Sequence, residues 1–414
     1  MSAIVLWLTF VLAAFQALKG ITERTESDRL PIIFVYTVVP AVCQHGLPDY
    51  IKVSLEQAIY TQPDCNVIMA SNYADCELIS KTVAEIPGLK RIDTSLIQSA
   101  TTRLFLNRSS NVFSSDYANE LWLTSALRFF VLEDIMRTEN YTEILHVEAD
   151  NMLYGRISTI LPILRESYPL AATPLTANMW MVTASVFWVS SLHQLSKFNE
   201  YMMELTINKN FIYDKYLFWI RRYACCKPGG IAPDENGNGI KPYAINEMSM
   251  LANYHRLYPE TFRFLPVAPA FDGYIKRRPF SNVTHFAPGG SLVGPATGHG
   301  IWDANSWGQY IGGTSRKNGR DKGFIDTSHI SGQAIILGGC RVSVQCGNQT
   351  ISPYGFVPPV ELRKEIVNTS NSGHTGCYTA PFVQCQNSTW APLWNLHVHS
   401  KHTSVYKSVA CDCP

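Results

Sequence analysis

Short apolar runs alternate with helical stretches along the first half of this chain. "PIIFVYTVV" (31–39) and "NVIMAS" (66–71) have the apolar density of buried strands, and "DYIKVSLEQAIYTQ" between them carries apolar residues at helical spacing. A second helical stretch, with Asp75 and Glu77 in its first turn, follows. "SSDYANELWLTSALRFFVLEDIMRTEN" (114–140) then reads as a long helix opened by Ser or Asp, leading into the apolar run "ILHV" (144–147). Strands separated by helices pair in parallel, and a parallel sheet must be covered on both faces. The expected fold class is therefore α/β, and 414 residues, 46% of them hydrophobic, suffice for one large core plus an appendage.

Further on, "LAATP" and "MVTASVFWVSS" read as strands and "SLHQLSKFNEYMMEL" as a helix. "NEMSMLANYHRLY" (246–258) has helical spacing, with Asn246 as its cap. From about residue 268 the chain becomes irregular and Gly-rich, a length of loop that in compact domains usually serves function.

Charge excludes one class of partner. The formal net charge is +1, and the densest basic cluster (Arg316, Lys317, Arg320, Lys322) sits in the Gly-rich loop, so no nucleic acid is expected. The apolar run from Ala3 to about Ala17 falls short of the roughly 20 residues that span a bilayer, but suits a signal peptide. Residues 1–20 are thus expected to be a signal peptide or signal anchor, and membrane contact only through them. Six of the eleven cysteines crowd into the last 75 residues without the paired spacing of a zinc ribbon, which suggests disulfides made in an oxidising compartment. Six Asn-x-Ser/Thr sequons, at Asn107, Asn140, Asn282, Asn348, Asn368 and Asn387, agree with that. The expected location is the secretory-pathway lumen (ER or Golgi) or outside the cell.

"ILHVEADNMLYG" (144–155) holds the chemistry. It begins as a strand and ends with Glu148 and Asp150, one residue apart. On a strand, residues i and i+2 face the same way, so both carboxylates would aim at one point past the carboxyl end of the sheet, where ligands of open α/β sheets gather. Two carboxylates that close repel unless a cation lies between them, and a hard divalent ion, Mn²⁺ or Mg²⁺, suits oxygen donors. The alternative is a pair of acids that merely solvates a strand end.

"HVEADNMLYG" resembles the Asp-x-Asp motif of the GT-A glycosyltransferases, with Glu in the first position. "SALRFFVLEDIM" is similar to the helix that precedes this motif in several of those families, with Arg128 at the position that faces the donor diphosphate. "FDGYIKRRPF", "DANSWGQYIGGTSRKNG", "GFIDTS" and "PLWNLHVHSK" resemble a bacterial, algal and large-virus group of such enzymes. The resemblance, carried by the order of short motifs, extends over most of residues 30–407. It implies a Rossmann-like GT-A catalytic domain over 28–335 and a Cys-rich segment, 336–414, that completes the active site.

In "NLHVHSK" (395–401), His397, His399 and Lys401 share one face of a strand. Imidazole and ammonium beside a diphosphate could complete a metal shell and neutralise a leaving group. The resemblance implies His399 first, and His397 second, as the metal ligand, with Lys401 on the phosphates. The simpler reading is a strand with Leu396 and Val398 buried and the histidines solvated. Glu247 stands where inverting relatives keep the base that deprotonates an acceptor hydroxyl, though a helix start also favours an acid. Asp303 competes for the acceptor, and Trp302, Trp307 and Tyr310 could stack on a sugar, although aromatics more often pack a core. Thr37, Ser71 and Asn72, at the ends of the first two strands, lie where a nucleoside would sit. Asp75 could hold a ribose hydroxyl, or simply start its helix.

The function implied is a metal-dependent transfer of sugar from a nucleotide-sugar donor to a glycan or glycoconjugate acceptor. A secreted carbohydrate-binding or adhesion protein, keeping the fold without turnover, is the alternative. A metal-dependent hydrolase using His397 and His399 would need further ligands that no motif announces.

Overall fold

The computed structural model describes residues 29–37, 43–109, 121–176, 181–207, 246–268, 300–313, 325–326, 328–346, 349–350, 381–384 and 391–398. The α/β expectation holds: a seven-stranded, mostly parallel sheet forms the centre. Its strands are β1 (Leu30–Val35), β2 (Cys65–Ser71), β3 (Lys90–Asp93), β4 (Ile144–Val147), β6 (Leu170–Pro174), β7 (Val182–Val189) and β8 (Phe262–Phe264), in the order β3-β2-β1-β4-β7-β6-β8. The short strand β5 (Asn151–Leu153) leaves this sheet and pairs antiparallel with β13 (Asn395–His397). A smaller sheet, β10-β9-β11-β12, is built from β9 (Arg341–Cys346), β10 (Gln349–Thr350), β11 (Pro381–Gln384) and β12 (Ala391–Pro392).

Strand β1 pairs in parallel with β2 on one side and with β4 on the other, so the chain crosses away from β1 in both directions. Ligands of open α/β sheets bind in the crevice that opens beyond such a reversal, at the carboxyl ends of the strands. Glu148 is the first residue beyond that end of β4. Strand β7 runs antiparallel to β4, and Glu148 still donates its N–H to Ser185 on β7.

Alternation along the strands explains the two covering layers. Ile33, Ile144 and Phe187 face one core with Phe129, Phe130 and Phe198. Their neighbours Ile32, Phe34, Leu145, Val147 and Trp188 face the other, with Ile51 and Leu55 from helix α1 (Asp49–Thr61). Helix α2 (Leu121–Thr138) is buried on all sides from Ser125 to Met136, beneath α3 (Leu192–Ile207). A helix so enclosed must pair its polar groups internally. Glu133 accepts from Asn199 Nδ2 at 2.6 Å and from Arg137, and Asp134 accepts from Thr102 Oγ1 at 2.6 Å. Helix α4 (Glu247–Leu257) starts where expected: Asn246 accepts the Ser249 N–H and Ser249 Oγ accepts the Asn246 N–H, a capping box.

Cys43 is disulfide-bonded to Cys76, joining the loop before α1 to the start of the helix Glu77–Ala84, and Cys340 also lies in a disulfide. Cys346 ends β9, and the other four tail cysteines lie outside the described residues. So do the 1–20 segment and the helix opening at 114. Among the described residues no helix is long and apolar enough to cross a membrane.

Candidate active site

Glu148 and Asp150 do converge, by a route different from the one expected. Strand β4 ends at Val147, and the acids lie on a tight turn into β5, closed by the Asn151 N–H donating to the Glu148 carbonyl at 3.0 Å. Turn geometry, rather than strand alternation, brings the carboxylates together. β13 supplies the third member: its register sets His397 opposite Asn151, and the Val398 N–H donates to the Asp150 carbonyl at 3.0 Å. His397 Nε2 lies 3.2 Å from Asp150 Oδ1 and 3.5 Å from Glu148 Oε2. These three side chains offer ligand atoms within 4.8 Å of one another, the one such group among the described residues.

Arg128 approaches from α2. Its Nη1 bonds Glu148 Oε1, its Nη2 lies 3.5 Å from Glu247 Oε1, and its Nε donates to the Ser125 carbonyl at 2.7 Å. The guanidinium thus bridges two acids; the resemblance implied that it faces the donor diphosphate. Burial and Asp150 work against charge on Glu148, but Arg128 and His397 outweigh them and hold the carboxyl below its ordinary range. Burial disfavours charged His397, yet Asp150, Glu148 and Asp303 push it up to about 9. Burial pushes Glu247 up to about 7; Arg128 works against that shift, and Glu148 adds to it. Glu247 Oε2 is buried with no hydrogen-bond partner among the described residues.

The donor set fits a divalent ion. Six-coordinate Mg²⁺ with ligands at about 2.1 Å sets neighbouring donors roughly 3 Å apart, close to the spacings of 3.2 and 3.5 Å from His397 Nε2. Two carboxylates and one imidazole also suit Mn²⁺.

The other expected site residues are more mixed. His399 and Lys401 lie outside the described residues; His397 meets both acids. Asp303 is fully buried, with both oxygens turned to backbone N–H groups and none toward an acceptor. Trp302 and Trp307 are also buried; Trp302 stacks on Trp394 with ring centroids 5.9 Å apart, so both are core residues, and Tyr310 is half-buried. Thr37 is half-buried just past β1. Ser71 is buried and donates its hydroxyl to the Tyr36 carbonyl at 2.7 Å, while Asn72 donates to Asp75 at 2.6 Å. The Ser71 and Asn72 side chains serve the end of β2 and the turn after it.

Several contributors escaped the sequence reading. Tyr50 is half-buried near Asp150; burial, then the Asp150 and Tyr36 charges, raise its hydroxyl above the ordinary range. Asn151, Ser185 and Asn395 form a buried polar layer under the site. The available signal was a lone polar residue inside an apolar run, as in "PLWNLHV".

No protein-family model and no curated protein matches the chain. Among solved structures it is similar to mouse xyloside xylosyltransferase 1 in its apo form, with 11% identity over 62% of this chain and 92% of that one, at a TM-score of 0.37. It is similar to the galactosyltransferase LgtC in complex with donor and acceptor sugar analogs, with 11% identity over 65% of this chain and 85% of that one, at a TM-score of 0.33. The glycosyltransferase GlyE of Streptococcus pneumoniae TIGR4 matches with 13% identity over 57% of this chain and 45% of that one, at a TM-score of 0.29.

Proposed function

We propose that this chain is a metal-dependent glycosyltransferase that moves a sugar from a nucleotide-sugar donor to a glycan or glycoconjugate acceptor. One observation carries the reading: Glu148, Asp150 and His397 converge beyond the carboxyl end of β4, at the strand reversal where an α/β sheet receives ligands. Glu148 and Asp150, with His397 through Nε2 once its proton is displaced, would hold Mn²⁺ or Mg²⁺. The ion supplies positive charge to the diphosphate that leaves with the nucleotide. Arg128 keeps Glu148 ionised and holds its carboxylate in the cluster.

Glu247 is the base in this scheme. A carboxyl pushed up to about 7 matches the pH at which it must take a proton, and its buried Oε2 is uncommitted. It accepts the proton of the acceptor hydroxyl, whose oxygen attacks the anomeric carbon opposite the leaving nucleotide, inverting its configuration. The Cys43–Cys76 disulfide supports an oxidising compartment, hence the secretory lumen or the exterior.

Nucleotide release from a panel of nucleotide sugars, with Mn²⁺ and with a chelator, tests the proposal. Release should need the metal and fall about a hundredfold or more in Asp150→Asn. Glycan binding without any nucleotide release would favour the carbohydrate-binding alternative.

A further inference from the structure

Asp303 is a fully buried acid that the proposed transfer leaves unused. Its Oδ1 accepts the N–H groups of Asn305 (2.8 Å) and Trp307 (3.0 Å). Its Oδ2 accepts those of Gly308 (2.8 Å) and His397 (2.9 Å). One carboxylate therefore closes the first turn of the helix Ser306–Gly312 and ties that turn to the main chain of a site residue 94 positions away. The His397 carbonyl packs so closely on the other side that a Cβ added at Gly308 would stand 1.8 Å from its oxygen.

The backbone of Asp303 repeats the link two residues earlier on β13. Asp303 N–H donates to Asn395 Oδ1 at 2.9 Å, and Asn395 Nδ2 donates to the Asp303 carbonyl at 3.1 Å and to Asn151 Oδ1 at 2.8 Å. Asn151 Nδ2 donates to the Ser185 carbonyl at 2.7 Å, and Ser185 Oγ donates to the Asp303 carbonyl at 3.1 Å. Strand β13 is thus clamped at Asn395 and at His397.

We infer that Asp303 is a positioning residue that docks β13 against the acidic turn and thereby sets His397 within reach of Glu148 and Asp150. The inference rests on the proposed metal role of those three residues; the docking itself does not. An acid is required, because two oxygens serve four N–H donors. An Asn would turn an NH₂ group toward two of them. A substrate role is excluded by the same geometry, since both oxygens are buried and filled.

Hydrogen exchange on metal-free protein, together with Mn²⁺ titration followed by EPR, tests this. In the wild type the His397 amide should exchange slowly; fast exchange there overturns the inference and needs no variant. In Asp303→Asn, exchange over 395–398 should speed by about tenfold or more while β1 and β4 stay protected. Mn²⁺ affinity should fall by about 10–100-fold, as for lost partners of metal ligands. Gly308→Ala, which keeps every acceptor of Asp303 but displaces the His397 carbonyl, should do the same. His397→Ala should lose Mn²⁺ affinity while 303–308 remains protected. Unchanged exchange over 395–398 in Asp303→Asn, or a fall in Mn²⁺ affinity only when core protection falls with it, overturns the inference. If the wild type binds no Mn²⁺ but Asp303→Asn still frees β13, the metal reading fails and the docking role stands.

Discussion

The two sides of the site are held in place by different balances of apolar and polar contact. On the side of β1, β4 and α2, apolar residues recur at strand or helix period and large surfaces meet. The side of β13 and the 300–313 segment has an apolar cluster of its own (Met152, Ile301, Trp307, Leu396 and Val398), and single polar residues, Asp303, Asn395 and Asn151, add directed links to it. An apolar joint is non-directional and accepts exchanges of similar volume, whereas a buried polar joint is all or nothing because each unmet donor carries a desolvation cost. Arg128 is a polar bridge inside the apolar layer of the first side, as are the Glu133–Asn199 and Asp134–Thr102 pairs.

That contrast can be broken at several points. The largest effect is expected from Arg128→Met, which leaves the buried Glu247 and the half-buried Glu148 without their cation. Stability should fall by about 3–5 kcal/mol in denaturant melts, and Mn²⁺ affinity should drop with it. Phe129→Ala should cost about 3–4 kcal/mol by emptying the space between Phe187 and Phe198, whose ring centroids lie 5.1 and 5.0 Å away. Protein that stays folded should bind Mn²⁺ as before; a parallel loss would mean that the two joints are not separate. Replacing the Cys43–Cys76 disulfide, which closes a separation of 33 residues, should cost about 2–4 kcal/mol and leave Mn²⁺ affinity unchanged.

The smallest effect is a pH dependence. Folded Glu247 keeps its proton up to about 7, while an unfolded Glu loses it near the ordinary 4.5. Between those values the unfolded chain binds fewer protons, so stability falls as pH rises, by about 1–3 kcal/mol in all. Glu247→Gln should flatten that part of the stability curve. A wild-type curve that rises across the same window would refute the shift.

The apolar side was largely legible. β1, β2, β4, β6, β7 and helices α1, α3 and α4 announce themselves by period and caps. The acidic pair was legible too, but for an incomplete reason: alternation assumed a strand running through Asp150, whereas the strand stops at Val147 and a turn begins. That His397 stands beside Asp150 could not come from local pattern, since His397 and His399 alternate alike in the sequence; the register of β13 on β5 sets it. Asp303 resembled a sugar-binding acid because its surroundings are rich in Gly and Trp, and its true donors include a main-chain N–H from far along the chain. A backbone donor has no sequence signature.

Arg128 precedes Glu148 by 20 residues, while Asn395 follows Asn151 by 244. At a synthesis rate of about 5–20 residues per second, the acidic turn emerges from the ribosome roughly 12–50 s before the strand that closes it. Through that interval the guanidinium is the counterion already at hand, so the nascent fold can shut its first half before the last donor has been translated.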